Sequence, residues 1–249
     1  MLAVLAIHSK GEKMKLGIIG AMDIEVATLK EAMREKTERI IAGAVYCEGL
    51  LENLPVVVVQ CGVGKVNAAL CVQALCDLFS VTHIVNTGVA GSLDVKLDIG
   101  DFVISCDAIY HDFDCHVINP NYLVGQVPGL EVRAFPADAL LMDIAFEAAQ
   151  KQHPGHAHFG TVASGDQFVC RKEQKEAIIA NTGGICTEME GAAIAQTAYR
   201  NNVPFVILRA ISDKADNSAS MDYPTFERIA AHRCAEVTRN LARQLKAAK

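Results

Sequence analysis

Thr187-Glu188-Met189-Glu190-Gly191-Ala192-Ala193 sets two carboxylates on either side of one methionine, directly ahead of a run of small residues. On a helix, residues two apart face different ways; in an extended segment they point the same way. Glu188 and Glu190 therefore belong at a strand-to-helix junction, where both can reach one pocket. The second carboxylate falls near a helix N-terminus, where negative charge is favoured. Paired acids around a soft apolar residue, Met189, suit a polyhydroxyl ligand with an apolar or aromatic part. A capping box ahead of a buried helix is the other reading of these residues.

Two more carboxylates stand at comparable places. Glu25 lies on the first predicted helix, and Asp213 follows a strongly apolar strand. A solvated glutamate and a helix cap or salt-bridge partner are the plain alternatives. Arg209 sits inside that same apolar strand, and a buried arginine needs a partner. Together these groups suit removal of a leaving group from a sugar. One acid protonates the leaving base, a second carboxylate deprotonates water, and a third holds ribose hydroxyls. Such steps need carboxylates in different protonation states. Phe168 is placed to stack on an aromatic base.

Other chemistries find little support. There is no P-loop, and Gly20-Ala21-Met22 and Gly62-Val63-Gly64 do not fit G-x-G-x-x-G, so no nucleotide or dinucleotide cofactor is expected. No C-x-x-C occurs among the nine cysteines. Cys61, Cys71, Cys76, Cys106 and Cys186 lie in apolar stretches and read as small hydrophobes. His111, Cys115 and His116 are close together and read as part of a pocket loop, so no metal is expected. An odd cysteine count without a secretory segment points to reducing cytoplasm.

The chain has 249 residues, enough for one large domain or two small ones. At 51% hydrophobic residues it can bury a sizeable core. A net charge of −6 without a Lys/Arg block argues against binding duplex nucleic acid. The lack of Trp, with 6% aromatics, argues against a stacking platform for single strands. No apolar run approaches a membrane span. Leu2–Ile7 is too short for a signal-peptide core. Met14 directly precedes the first convincing strand. Met1–Lys13 is therefore expected to be an extension outside the fold, and 14–249 a single domain.

The elements that must position the site alternate. Strands are predicted over Lys15–Gly20, Val45–Leu51, Pro55–Cys61, His83–Val89, Asp101–Tyr110, His158–Ser164 and Pro204–Ser212. The strand at His83 is expected to break at Gly88, Ala90, Gly91 and Ser92. Helices are predicted over Asp23–Lys36, Lys65–Phe79, Ala137–Lys151, Lys172–Asn181, Gly191–Asn201 and Tyr223–Lys246. This order implies an α/β fold around a central, largely parallel sheet covered on both faces. Ligands bind such sheets at the carboxyl ends of strands. Glycines and acids gather at those ends: Gly20 to Glu25, Cys61 to Lys65, Thr87 to Gly91, Ser164 to Val169, Glu188 to Glu190 and Arg209 to Asp213.

In this order the segments Gly17-Ile18-Ile19-Gly20-Ala21-Met22 with Glu25, Gly62-Val63-Gly64-Lys65-Val66-Asn67-Ala68-Ala69, Tyr110-His111-Asp112, Ser164-Gly165-Asp166, Glu188-Met189-Glu190 and Arg209-Ala210-Ile211-Ser212-Asp213 resemble the 5′-methylthioadenosine/S-adenosylhomocysteine nucleosidases. The resemblance runs from Met14 almost to the C-terminus. It implies a three-layer α/β/α nucleoside phosphorylase-like fold with a mixed central sheet. It also implies a homodimer in which the partner's His116–Gly125 segment approaches the 5′ end of the nucleoside. By the same resemblance Asp213 protonates N7 of adenine, Glu25 activates water, and Glu190 holds the ribose hydroxyls. Met189 and Glu188 lie on the ribose side, Phe168 stacks on adenine, Val169 reads its edge by its backbone, and Arg209 lies near the water. Met22, Val89, Ala90, Gly91 and Ser212 complete the implied binding residues.

The chain departs from that pattern in two places. Val89 stands where many members carry serine, whose hydroxyl could hydrogen-bond an acid or ligand. His116–Gly125 is slightly longer and less aromatic, which leaves the preferred 5′-substituent open, aminodeoxyfutalosine or AMP included. A phosphorylase of the same fold would need arginines at the glycine turns, and Glu25 would repel phosphate. A nucleoside-binding module without catalysis would have no use for a general acid.

Overall fold

The computed structural model describes residues 14–247. The expected extension Met1–Lys13 lies outside the described residues. The chain order is β1 (Leu16–Gly20), α1 (Asp23–Ala32), β2 (Arg34–Ile41), β3 (Ala44–Leu51), β4 (Leu54–Gln60), α2 (Lys65–Phe79), β5 (His83–Ser92), β6 (Phe102–Tyr110), β7 (Phe135–Pro136), α3 (Ala139–Gln152), β8 (Ala157–Ser164), α4 (Lys172–Thr182), β9 (Cys186–Glu188), α5 (Gly191–Arg200), β10 (Phe205–Asp213) and α6 (Ala219–Ala247).

The continuous apolar strands are apolar because both of their faces are covered. In β4, Val56 and Val58 pack on one side with Val26 and Leu29 of α1 and Leu241 and Leu245 of α6. Val57 and Val59 pack on the other side with Val72 and Leu75 of α2 and Ile194 of α5. β10 repeats the pattern, with Val206, Leu208 and Ala210 on the first side and Phe205, Ile207 and Ile211 on the second. Helices thus sandwich the sheet, giving the three-layer arrangement implied by the resemblance.

All ten strands join one sheet. It is mixed, and the largely parallel sheet expected from element alternation is corrected by its pairings. β1–β4, β1–β5, β10–β5, β6–β8 and β8–β9 are parallel. β10–β6, β2–β3, β3–β4, β5–β9 and β6–β7 are antiparallel. Because β10 pairs with both β5 and β6, and β6–β8–β9 leads back to β5, five strands close on themselves. That closure brings residues of β5, β9 and β10 to one place.

Three local expectations fail for identifiable reasons. Helix α1 stops at Ala32 instead of Lys36, because Met33 turns extended (ψ 148°) and buries in the core. Arg34–Ile41 then forms an exposed edge strand paired to β3, so cross-strand bonding overrides its helix-forming composition. β5 does not break at Gly88; it runs on to Ser92, paired with β10 and β9. Finally, α6 starts at Ala219 rather than Tyr223. Among the cysteines, Cys106 is exposed rather than buried, and all nine are free thiols.

Candidate active site

A solvent-open cleft of about 560 Å³ lies where β1, β5, β9 and β10 meet. All thirteen residues singled out from the sequence line it: Met22, Glu25, Val89, Ala90, Gly91, Phe168, Val169, Glu188, Met189, Glu190, Arg209, Ser212 and Asp213. Ala21, Val63, Gln167, Thr187 and Tyr223 complete the lining and were not singled out. Tyr223 is the informative omission. It sits near the start of α6, its ring meets Phe168 edge to face at 5.5 Å, and its hydroxyl lies 3.4 Å from Met22 Sδ. Its sequence signal was an aromatic at a helix start, with nothing nearby to tie it to Phe168.

The centre of the cleft is Arg209, 1% exposed. Its guanidinium donates to Glu188 and to the Asn86 side-chain oxygen. It also stands 3.7 Å from Glu190 Oε2 and 4.0 Å from Glu25 Oε1. A buried cation facing three buried carboxylates satisfies the requirement for a partner. Burial works against its charge, but the three acids outweigh that and hold Arg209 protonated.

The neighbouring acids divide the two readings of the Glu-Met-Glu motif between them. Glu188 is the cap: its carboxylate accepts from Glu190 N at 3.1 Å and from Gly191 N at 2.8 Å, and it also takes the Ser164 hydroxyl. Glu190 occupies the N-cap position of α5 yet makes no side-chain cap bond there. Its Oε1 accepts instead from Gly64 N, at the start of α2, at 2.9 Å. Burial, with the Glu188 charge beside it, pushes the Glu190 carboxyl up to about 8 despite Arg209.

Glu25 lies in the first turn of α1, and its carboxylate folds back onto the strand ends. Oε2 accepts from Ala21 N (2.7 Å) and Met22 N (2.9 Å), and Oε1 from Val89 N (3.1 Å). Burial raises its pKa, while Arg209 and these three N–H groups pull the other way. The bond from residue 89 comes from the backbone, so valine supplies it as well as serine would.

Asp213 ends β10 in a different electrostatic setting. Its Oδ1 accepts from Ala215 N at 2.8 Å and its Oδ2 from the Ser212 hydroxyl at 2.9 Å. Burial raises its pKa, and the charges of Asp222 and Asp216 push the same way. Burial raises all three carboxyls, but Glu25 and Glu190 face a cation that Asp213 lacks. An acid and a base at one site need such a difference in setting.

Two glycines make this packing fit. A Cβ on Gly88 would lie 2.3 Å from both Arg209 Nη1 and Glu25 Oε1, and one on Gly91 would lie 2.8 Å from Asp213 Oδ1. These glycines give the acids room inside a continuous strand. Elsewhere, among the described residues, no group of three or more His, Cys, Asp or Glu side chains could hold a metal, His111, Cys115 and His116 included. No helix among them is long and apolar enough to cross a membrane.

Residues 15–243 match the phosphorylase superfamily. A 5′-methylthioadenosine/S-adenosylhomocysteine nucleosidase of Oceanobacillus iheyensis is 38% identical over 233 residues, covering 93% of this chain and 100% of that protein. The structure of such a nucleosidase from Colwellia psychrerythraea, in complex with adenine, superposes with a TM-score of 0.89 at 36% identity, covering 94% of this chain and 96% of that one. A futalosine hydrolase of Helicobacter pylori superposes with a TM-score of 0.87 at 31% identity, covering 93% of this chain and 98% of that one.

Proposed function

The chain belongs to the phosphorylase superfamily and, within it, to the 5′-methylthioadenosine/S-adenosylhomocysteine nucleosidases, and we propose that it hydrolyses the N-glycosidic bond of those two nucleosides. The products are adenine and the 5-thio-substituted ribose. One observation carries the assignment of roles: Asp213 is buried without help from Arg209, while Glu25 and Glu190 are buried beside it.

Adenine sits against Phe168, with Val169 along its edge, and Asp213 gives its proton to N7. The C1′–N9 bond breaks with its electron pair going to the base, so adenine leaves neutral. Positive charge then builds on the ribosyl carbon and ring oxygen. Glu190 takes the ribose hydroxyls, and Glu25 stabilises that charge. Glu25 accepts a proton from water as the oxygen bonds to C1′. Arg209 works against the burial that raises Glu25, and holds Glu188 in its capping position. Met22, Met189 and Tyr223 give the sugar and base an apolar wall.

Hydrolysis fits better than phosphorolysis because the arginine lining the cleft is already taken by Glu188 and Asn86. A nucleoside with a larger 5′ group, such as aminodeoxyfutalosine, is the second reading, favoured by the Helicobacter likeness. His116–Gly125 does not line this chain's own cleft. In a homodimer that segment would reach the partner's 5′ pocket, and exposed Val66, Leu70, Val117 and Ile118 offer apolar surface for such an assembly. Nine free thiols agree with a reducing cytoplasm.

The test is a product assay with 5′-methylthioadenosine, with and without phosphate. Adenine with free methylthioribose, independent of phosphate, supports the proposal. A sugar 1-phosphate formed only with phosphate overturns it.

A further inference from the structure

Three segments that frame the cleft are tied together by residues that do not line it. Lys65 Nζ lies 2.8 and 2.7 Å from the two Asp112 carboxylate oxygens and 3.6 Å from Asp166 Oδ2. Lys65 N donates to Asp166 Oδ1 at 2.9 Å, and Asp166 N donates to Asp112 Oδ2 at 2.8 Å. The Lys65 ammonium also stands over the Tyr110 ring, 5.4 Å from its centre. One lysine thus joins the start of α2, the end of β6 and the loop after β8.

What these segments carry gives the tie its meaning. Val63 lines the cleft, and Gly64 N holds Glu190 Oε1 at 2.9 Å. Immediately after Asp166 come Gln167, Phe168 and Val169, all in the lining. Phe168 is 47% exposed, so its own packing does not fix it. The Lys65 side chain is only partly exposed (23%), and that of its Asp112 partner less so (13%). A pair with two short contacts in that setting restrains more than an open surface pair does.

On the reading given above, we propose that Lys65 is a positioning residue for recognition of the nucleoside. By gripping Asp112 and Asp166 it locks the Gly62–Lys65 turn, which steers Glu190 to the ribose, against the 165–169 loop, which presents Phe168 and Val169 to the base. The two ends of the substrate are then recognised by one rigid unit, and loss of the ammonium lets them move independently. Such loosening raises the cost of ordering on binding.

The test compares wild type with Lys65→Met, Lys65→Arg and Asp166→Asn, using turnover of 5′-methylthioadenosine and calorimetric binding of adenine. Lys65→Met is expected to raise KM and weaken adenine binding by about tenfold, with kcat changed less than about threefold. Lys65→Arg keeps the charge and is expected to recover most of the loss. Asp166→Asn keeps an acceptor for Lys65 N and is expected to fall between. Thermal unfolding is followed for every variant. If Lys65→Met fails to fold, Asp166→Asn carries the test, through the same split between KM and kcat. Equal loss in kcat and kcat/KM, failure of arginine to rescue, or unchanged adenine binding overturns the clamp while leaving the hydrolase reading intact. Wild type that binds adenine without releasing it from nucleosides overturns the hydrolase reading, and adenine binding then decides the clamp alone. Wild type that neither binds nor releases adenine overturns both.

Discussion

Arg209 Nη1 stands 4.0 Å from Glu25 Oε1, across the bare backbone of Gly88. Both groups are buried, so neither can swing into solvent to relieve a new neighbour. The identity of residue 88 therefore decides whether cation and carboxylate can face each other.

Gly88→Ala is expected to destabilise the fold by about 1–3 kcal/mol, the range for overpacking a tight interior. Because the added methyl lands on Glu25 and Arg209, kcat/KM is expected to fall at least about a hundredfold. Thermal unfolding and steady-state kinetics read both effects. A variant with wild-type kinetics would mean that Glu25 and Arg209 are not held by this packing.

Asp213→Asn removes the proposed proton donor and keeps the shape. General acid catalysis contributes about 10²–10⁴ in rate, so kcat is expected to fall within that range. Adenine binding is expected to change by less than about tenfold. Single-turnover kinetics and calorimetry separate the two. Loss of binding with unchanged kcat would make Asp213 a base-reading residue and not the acid.

The pH profile of kcat/KM follows from the directions of two shifts. In the proposed mechanism Glu25 must be ionised to accept a proton, so activity is lost as pH falls through its raised pKa. That limb is expected above the ordinary glutamate value of 4.5. In the same mechanism Asp213 must be protonated, so activity is lost as pH rises through its own raised pKa. The Ser212 hydroxyl bonds to Asp213 and favours the charged form. Ser212→Ala is thus expected to move the alkaline limb to higher pH and leave the acid limb in place. An alkaline limb that stays put or moves down would detach it from Asp213.

Much of this was legible in the sequence, because apolar periodicity records which faces are covered. The alternating valines of Val56–Val59 fall on opposite sides of the sheet, as a strand between two helical layers requires. What was not legible depends on pairing at a distance. Arg34–Ile41 has helix-forming composition and an exposed surface, and only β3 makes it a strand. Gly88 and Gly91 look like breakers until Glu25, Arg209 and Asp213 are seen to need their missing side chains. Likewise the two acids of Glu188-Met189-Glu190 could be named together, but their division of labour could not. It depends on Ser164, Arg209 and Gly64, each from a different element.

Arg209→Met is expected to cost about 3–5 kcal/mol, the range for leaving buried charge uncompensated. Glu25, Glu188 and Glu190 would lose their shared cation together. Protonation relieves an uncompensated carboxylate, so the deficit is expected to shrink as pH falls. Adding Glu188→Gln removes one of the three charges, and the double variant is expected to be less destabilised than the sum of the singles. Denaturant unfolding at two pH values measures both. Strict additivity would show that Arg209 and Glu188 do not act as a pair.

Glu190 separates stability from function. Its carboxyl ordinarily titrates near 4.5 and is pushed up to about 8 in the folded chain. Between those values the folded state holds a proton that the unfolded state releases, so this group lowers stability progressively as pH rises through the window. Below the window both states are protonated and nothing is lost; above it the loss is complete. Glu190→Gln cannot ionise, yet its side-chain oxygen can still accept from Gly64 N. The variant is therefore expected to match wild-type stability near pH 4, and to exceed it by about 3–5 kcal/mol above pH 8. Its kcat/KM is expected to drop at least about tenfold above pH 8, where the wild-type carboxyl is ionised and an amide is the weaker acceptor for the ribose hydroxyls, and to change less below that pH. Unfolding curves across the pH range, set beside kinetics, test both statements. A stability difference that is independent of pH would show that Glu190 stays ionised in the folded chain.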